Sequence, residues 1–169
     1  MERIVLLTVA LFATGQGAVE NSSQSASSGA HGLVGRWKLI SAEDLRSNGE
    51  VGRYPWGRHP VGWIVIDPRG YLYLQIMSSD PPVFDPNTSP AEQMQAALLN
   101  TYISYYGPYT INEAEGSISF KVLGAGRPDY VGTDQRRFFK VAGDTLSFGP
   151  ARSTTGEQLM RRLTLERVK

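Results

Sequence analysis

Residues 131–139, VGTDQRRFF, place three charged side chains and a glutamine in a segment that has apolar residues at both ends. Successive side chains of a strand face opposite sides of a sheet. One face then carries Asp134 and Arg136, and the other carries Gln135 and Arg137 between apolar residues of the same parity. We therefore expect Gln135 and Arg137 to point inward, where a guanidinium can bind a carboxylate or polarise a carbonyl group.

The last strand-like segment carries further arginines on one face. The residues that share this parity are Leu159, Arg161, Leu163, Leu165 and Arg167. A buried arginine without a partner is too costly to persist, so Arg137 and Arg161 must each meet an anionic or carbonyl group. The sequence leaves two interpretations open: a bound ligand, or a buried ion pair with Glu43 or Glu166.

Three other side chains are candidates for contact with a ligand. Trp56 lies in a loop rich in Pro and Gly, RYPWGRHP, and is predicted to close over a pocket at its mouth. Tyr73 and Gln75 share one parity and would make a good pocket wall. Parity alone does not decide whether they face inward, because the opposite set would make the better core; that set is Leu72, Leu74 and Ile76.

One segment has helical rather than strand periodicity. Residues 89–106 begin with Ser89 and Glu92 in the spacing of a capping box, and a Gly-Pro pair follows them. The apolar stripe of this predicted helix includes Tyr102 and Tyr105. Both tyrosines either pack as core or form a lid over the pocket, and they remain candidates for ligand contact.

The rest of the domain reads as short alternating segments bounded by turn residues. The predicted strands cover residues 35–43, 61–67, 70–77, 108–112, 117–122, 131–141, 144–149 and 157–168. This spacing favours an antiparallel sandwich or barrel. The predicted helix falls between the third and fourth of these strands and would lie on the sheet.

The first and last strands carry a pairing that resembles the lipocalin superfamily. LVGRWKLISAED has Gly35-x-Trp37, and TLERV ends with Arg167. In the barrels of that superfamily the tryptophan plugs the closed end and an arginine of a late strand stacks on it, which implies structural roles for Trp37 and Arg167.

The chain more closely resembles the lipocalin-like domain family of small bacterial and fungal proteins. The residues that carry this resemblance are 54–77, 102–111 and 131–139. It implies an all-β fold, an eight-stranded antiparallel barrel with one helix inserted between strands 3 and 4. We expect no helix after the last strand, in contrast to true lipocalins, so their ligand contacts are not carried over.

Composition argues against several classes of partner and site. The 17 Lys and Arg balance 16 Asp and Glu to a formal charge of +1 without long runs of one sign, which argues against nucleic acid and anionic lipid partners. The sequence contains no cysteine, and His31 and His59 are its only histidines. Thiol catalysis, disulfides and thiolate or all-histidine metal sites are thereby excluded. We expect neither a metal nor a cofactor.

The first residues read as targeting and linker segments. Residues 1–18 have a short basic start, an apolar run and small residues at a cleavage position, as in a signal peptide. Residues 19–32 are a Ser, Gly and Ala linker, and residues 33–168 form the barrel domain. The predicted location is secreted or periplasmic, and without a cysteine no lipid anchor is expected.

The sequence favours an exported barrel that binds a small hydrophobic ligand bearing a carbonyl or carboxylate group. It has no nucleophile with its base, no metal constellation and no phosphate loop. The alternative is a cofactor-free cyclase or isomerase in which Arg137 polarises a carbonyl and Tyr73 or Glu43 moves a proton. A third interpretation is a structural or inhibitory protein with a filled barrel and an exposed apolar patch.

Overall fold

The described residues of the computed structural model, 32–80, 85–150 and 160–169, form one antiparallel sheet that closes on itself. Its strands are β1 Gly35–Leu45, β2 Val51–Arg53, β3 Val61–Asp67, β4 Tyr71–Met77, β5 Tyr102–Asn112, β6 Ser117–Lys121, β7 Gly124–Ala125, β8 Asp134–Ala142, β9 Thr145–Pro150 and β10 Met160–Arg167. The order around the barrel is β1-β3-β4-β5-β6-β8-β9-β10, and β10 pairs again with β1. The predicted closed barrel of eight antiparallel strands is confirmed, with β2 and β7 as short additions to β1 and β5.

The helix α1, Pro90–Thr101, lies between β4 and β5. Counted over all ten strands, α1 follows the fourth strand and not the third as predicted, because the three-residue strand β2 is too short to produce a recognisable alternation. The predicted end at residue 106 is also wrong. The capping box of Ser89 and Glu92 is present, but Tyr102 already has extended backbone angles and begins β5. Aromatic and β-branched residues favour strands, and this stretch pairs with β4 along its length.

The core fills one end of the barrel around Trp37. The Trp37 indole donates a hydrogen bond of 2.8 Å to the carbonyl of Leu33. The guanidinium carbon of Arg167 lies 4.1 Å from the centroid of the Trp37 ring, and the same side chain donates to the carbonyls of Val34 and Gly32. Arg167 therefore closes this end of the barrel by a cation–π contact and by hydrogen bonds to the chain that enters β1.

A register shift in β1 changes which of its side chains face inward. The pairing of β1 with β10 is irregular between Leu39 and Ser41. Strict alternation predicts Ser41 on the interior face beside Leu39, but beyond the shift Ala42 and Asp44 are buried while Ser41 and Glu43 are not. An extra residue in one strand reverses the parity of everything that follows it.

Several predictions fall on residues outside the described ranges. These are the signal segment 1–18, almost all of the linker 19–32, and residues 157–159 at the start of the last predicted strand. Within the described ranges, no helix is long and apolar enough to cross a membrane.

Candidate functional site

An interior pocket of about 110 Å³ lies towards the opposite end of the barrel from Trp37. Strand β10 spans this distance, since Arg161 near its start lines the pocket and Arg167 at its end covers Trp37. The described residues around the pocket are Trp56, Leu74, Ile76, Ile103, Tyr105, Tyr130, Arg137, Phe148, Gly149, Arg161 and Leu163. The pocket is therefore largely apolar and aromatic, with two guanidinium groups in its wall.

Arg137 reaches the pocket from β8, whose side chains alternate between exposed and half-buried. Its guanidinium donates 2.8 Å to the carbonyl of Arg136 and 2.9 Å to Oε1 of Gln135. Gln135 in turn donates 2.9 Å to Oγ1 of Thr133, so its amide orients Arg137 and does not itself line the pocket. Among residues 32–80, 85–150 and 160–169, no carboxylate lies within 4.0 Å of the Arg137 guanidinium.

Arg161 has a carboxylate partner, and that partner is Asp44. Arg161 donates from Nε to Oδ1 at 2.8 Å and from Nη2 to Oδ2 at 3.0 Å. Arg53 of β2 donates to the same Oδ2 from Nε at 3.0 Å and from Nη2 at 2.7 Å. Burial raises the pKa of Asp44, but the hydrogen bonds and charges of Arg161 and Arg53 lower it more. Asp44, only 2% exposed, is thus a buried carboxylate held between two guanidinium groups.

The predicted ion-pair partners of the inward arginines are wrong. Glu43 pairs with Arg162 on the outer side of the barrel, at 2.6 Å, and Glu166 is exposed. The register shift in β1 is the physical reason, because it turns Glu43 outward and brings Asp44 opposite Arg161.

Tyr105 lies in the pocket wall, on β5 and not on a helix as predicted. Its ring stacks on Phe120 and Tyr130, with centroids 5.4 and 5.9 Å apart. Burial raises the pKa of the Tyr105 phenol. The nearby Arg137 guanidinium lowers this pKa, but by less than burial raises it. A protonated hydroxyl group therefore lies beside the Arg137 guanidinium at neutral pH.

A vestibule of about 380 Å³ adjoins the pocket and shares four lining residues with it: Trp56, Ile103, Tyr130 and Arg161. Tyr102, also on β5 and not on the helix, lines this vestibule together with Leu99 of α1. Arg53 and Arg127 add two more guanidinium groups to its wall. The vestibule is therefore the polar entrance to a mainly apolar pocket.

Trp56 forms part of the wall between pocket and vestibule, at the mouth of the pocket as predicted, but it is a core residue and not only a loop cover. Its side chain is only 7% exposed and packs in the core cluster. The Arg161 guanidinium carbon lies 4.6 Å from the centroid of its ring. This cation–π contact with a half-buried arginine, which itself binds Asp44, holds the loop against the barrel.

Tyr73 and Gln75 are not in the interior pocket. The opposite set of β4, Leu72, Leu74 and Ile76, is buried, so Tyr73 and Gln75 face outward. The outward set, Tyr71, Tyr73 and Gln75, carries two phenol groups and an amide. Burial of the leucine and isoleucine set costs less, because each buried polar group needs a hydrogen-bond partner. The prediction that Tyr73 and Gln75 contact a ligand in the interior is therefore wrong. Both residues line a groove on the outer face of the barrel instead.

Sequence reasoning missed Asp44, Arg53 and Tyr130. Asp44 could be found only by knowing the position of the bulge, and no residue type in β1 marks it. Arg53 lies in a strand of three residues, which carries no usable alternation. Tyr130 ends a 3₁₀ turn, Pro128–Tyr130, within the sequence RPDY, and an aromatic residue beside a proline turn is the one signal that could have suggested it.

Comparison with known proteins agrees with this architecture. A family model described as a lipocalin-like domain matches residues 34–168. No curated protein matches the chain. The match covers the whole barrel, from the residue before β1 to the residue after β10, and confirms the resemblance stated from the sequence.

Proposed function

We propose that this chain, which belongs to the lipocalin-like domain family, binds a small hydrophobic ligand whose carboxylate or carbonyl group is held by Arg137. The observation that carries the proposal is the position of the Arg137 guanidinium in the wall of the interior pocket. It makes hydrogen bonds to an amide and a backbone carbonyl, and to no carboxylate of the described residues. A cation in an apolar wall favours a ligand that brings the missing acceptor.

The charge balance around the pocket also supports an acidic or carbonyl-bearing ligand. Four guanidinium groups, those of Arg53, Arg127, Arg137 and Arg161, lie at the pocket and vestibule. Among the described residues they contact two carboxylates, Asp44 and Asp129, so positive charge remains in excess. An anionic group beside Arg137 would reduce the remaining positive charge, and a carbonyl oxygen would accept its N–H groups.

The dimensions limit which part of a ligand can lie inside. A buried cavity of about 150 Å³ is enough for benzene, so a pocket of about 110 Å³ accommodates a polar group with a few carbons. The larger remainder of a ligand would extend past Trp56 into the vestibule of about 380 Å³. Trp56, Leu99 and Ile103 offer it apolar contacts there, and the arginines tolerate polar substituents.

Isothermal titration with four probes of one carbon skeleton tests the proposal: benzoate, benzaldehyde, benzyl alcohol and benzylamine. We expect benzoate and benzaldehyde to bind more tightly than the alcohol, and benzylamine to bind most weakly, because a guanidinium repels a cation. Equal affinity for all four would contradict a role for Arg137 in recognition. Native mass spectrometry of protein purified from its own host would then identify the natural ligand.

The cyclase or isomerase function is the second candidate, favoured by the buried Tyr105 hydroxyl beside Arg137. The proton carriers proposed from the sequence do not serve it, since Tyr73 faces outward and Glu43 pairs with Arg162. In this second candidate Arg137 polarises the ligand carbonyl and Tyr105 transfers the proton. Chromatography of the natural ligand after incubation would reveal an isomer of equal mass, and Tyr105→Phe would abolish its formation while retaining binding.

Export from the cytoplasm is part of the same proposal and depends on residues 1–18 alone. Their basic start, apolar run and small residues are typical of a cleaved signal peptide. The mass of the protein recovered from periplasm or medium tests it. A mature form that begins near Ala18 or Val19 supports export, and full-length protein confined to the cytoplasm contradicts it.

A further inference from the structure

A groove of about 550 Å³ lies on the outer face of the barrel, across β3, β4, β5 and β7. Its exposed aromatic wall comes from side chains of outward parity, including Trp63, Tyr73 and Tyr106, and it shares the buried residues Leu74 and Tyr105 with the interior pocket. Arg137 and Arg161 are not among its lining residues. The groove is therefore a second site, which does not use the arginines proposed to hold the interior ligand.

Three large aromatic side chains in this groove expose about half of their surface. Trp63 is 45% exposed, Tyr73 46% and Tyr106 45%. The rings of Tyr73 and Tyr106 lie 6.1 Å apart between centroids and 16° from parallel. Soluble proteins rarely leave contiguous aromatic surface of this kind uncovered unless it binds something.

Gly124 in β7 and Gly126, which follows this strand, leave room for two tyrosine rings. A Cβ atom on Gly124 would come within 2.5 Å of the Tyr106 ring, and one on Gly126 within 3.2 Å of the Tyr102 ring. Both rings therefore lie close to the backbone of residues 124–126. The absence of side chains at Gly124 and Gly126 keeps the groove open.

The polar groups of the groove are neutral and available. The side chains of Gln75 and Ser104 and the hydroxyls of Tyr73 and Tyr106 make no hydrogen bond to other protein groups in the part of the chain that the structure describes. No charged side chain of the described residues lines the groove. The groove thus combines aromatic faces with uncharged donors and acceptors.

We propose that this groove binds a neutral carbohydrate. A pyranose ring presents C–H groups on its faces and hydroxyl groups at its edge. The faces suit the exposed rings of Trp63, Tyr73 and Tyr106, and the edge suits the amide of Gln75 and the hydroxyl of Ser104. A purely apolar ligand would leave these polar groups without partners, and an ionic ligand would find no opposite charge.

Titration with four neutral tetrasaccharides tests the proposal: cellotetraose, maltotetraose, mannotetraose and tetra-N-acetylchitotetraose. We expect at least one to bind the wild-type protein, with Tyr73→Ala or Tyr106→Ala weakening it about tenfold or more. Gly124→Ala should weaken binding as well, because its new Cβ displaces the Tyr106 ring while every aromatic side chain is retained.

Two control variants separate this site from other effects. Phe138→Ala removes an aromatic residue that is 37% exposed elsewhere on the barrel and should leave sugar affinity unchanged. Arg137→Met should also leave it unchanged, even if the interior proposal is wrong. Absence of binding by all four sugars overturns the inference. So does sedimentation analysis in which the wild type dimerises and Tyr73→Ala restores the monomer, because the groove would then be a contact between copies.

Discussion

Arg161 and Asp44 are 117 residues apart in the chain and lie opposite each other where β10 pairs with β1. The pair is bidentate, with N···O distances of 2.8 and 3.0 Å. The strand pairing that closes the barrel is therefore the same pairing that assembles the polar side of the pocket. The Arg161 guanidinium also stacks on the ring of Trp56, so the same side chain joins the Asp44 pair to the Trp56 loop.

Replacing Asp44 with alanine should lower the free energy of unfolding by about 3 kcal/mol. The substitution leaves the half-buried Arg161 guanidinium without its anion, and breaking a buried pair in this way is strongly destabilising. The estimate is at the low end of the usual range because both arginine partners reach solvent. Urea denaturation measures the change. The matched control is Glu43→Ala at the position next to Asp44. It breaks the more exposed pair with Arg162 and should lower the free energy of unfolding by about 1 kcal/mol or less.

The pH dependence of stability should contain a contribution from Asp44. The pKa of this carboxyl is lowered from its ordinary value of 3.8 in the folded protein. A lowered pKa means that its stabilising contribution is complete above about pH 4 and is lost as the pH falls through the folded value. Thermal melts of wild type and Asp44→Asn between pH 7 and pH 2.5 measure it. The difference in stability between the two proteins should shrink at the acidic end, and a constant difference would contradict the assignment.

The barrel itself was predictable from the sequence because its signals are local. Strand alternation, the capping box at Ser89 and the Gly35-x-Trp37 pattern each depend on neighbours in the chain. Parity also placed Arg137 and Arg161 inward, since neither β8 nor β10 is interrupted before them.

The parts that failed depend on contacts distant in the chain. The bulge in β1 arises in its pairing with β10. No local signal in the sequence therefore shows that Asp44, and not Glu43, is the partner of Arg161. The segment from Tyr102 to Tyr106 fits helical spacing as well as strand propensity, and its pairing with β4 decides in favour of the strand. Trp56 sits in a loop with Pro and Gly on either side, yet Arg161, 105 positions later, draws it into the core.

Trp37 and Arg167 should be energetically coupled. Trp37→Ala should cost about 3–5 kcal/mol of stability because the ring is fully buried, and Arg167→Ala should cost less. The double variant should fall short of the sum, because the cation–π contact at 4.1 Å is lost only once. A double-mutant cycle in urea measures this coupling. Strict additivity would show that the contact contributes nothing.

Trp56→Ala should both destabilise the protein and weaken ligand binding. Its ring belongs to the core cluster and also lines pocket and vestibule, so truncation should cost about 3 kcal/mol of stability. Trp56→Phe retains much of the apolar contact and should cost less than half as much. Differential scanning calorimetry and benzoate titration of both variants measure the two effects. Unchanged melting of Trp56→Ala would mean that the loop opens freely from the barrel.

The most direct test of the central claim compares Arg137→Met with Arg136→Met in melting and in benzoate titration. Arg136 is the adjacent residue on the outer face, where it pairs with Glu115, and its loss should change stability by less than about 1 kcal/mol and leave affinity unchanged. Arg137→Met should melt at the wild-type temperature or above it, because a cation has been removed from an apolar wall. Its affinity for benzoate should fall by about 2 kcal/mol or more. Loss of about 3–5 kcal/mol of stability in Arg137→Met would instead indicate a structural ion pair, and unchanged benzoate affinity would contradict the proposed binding site.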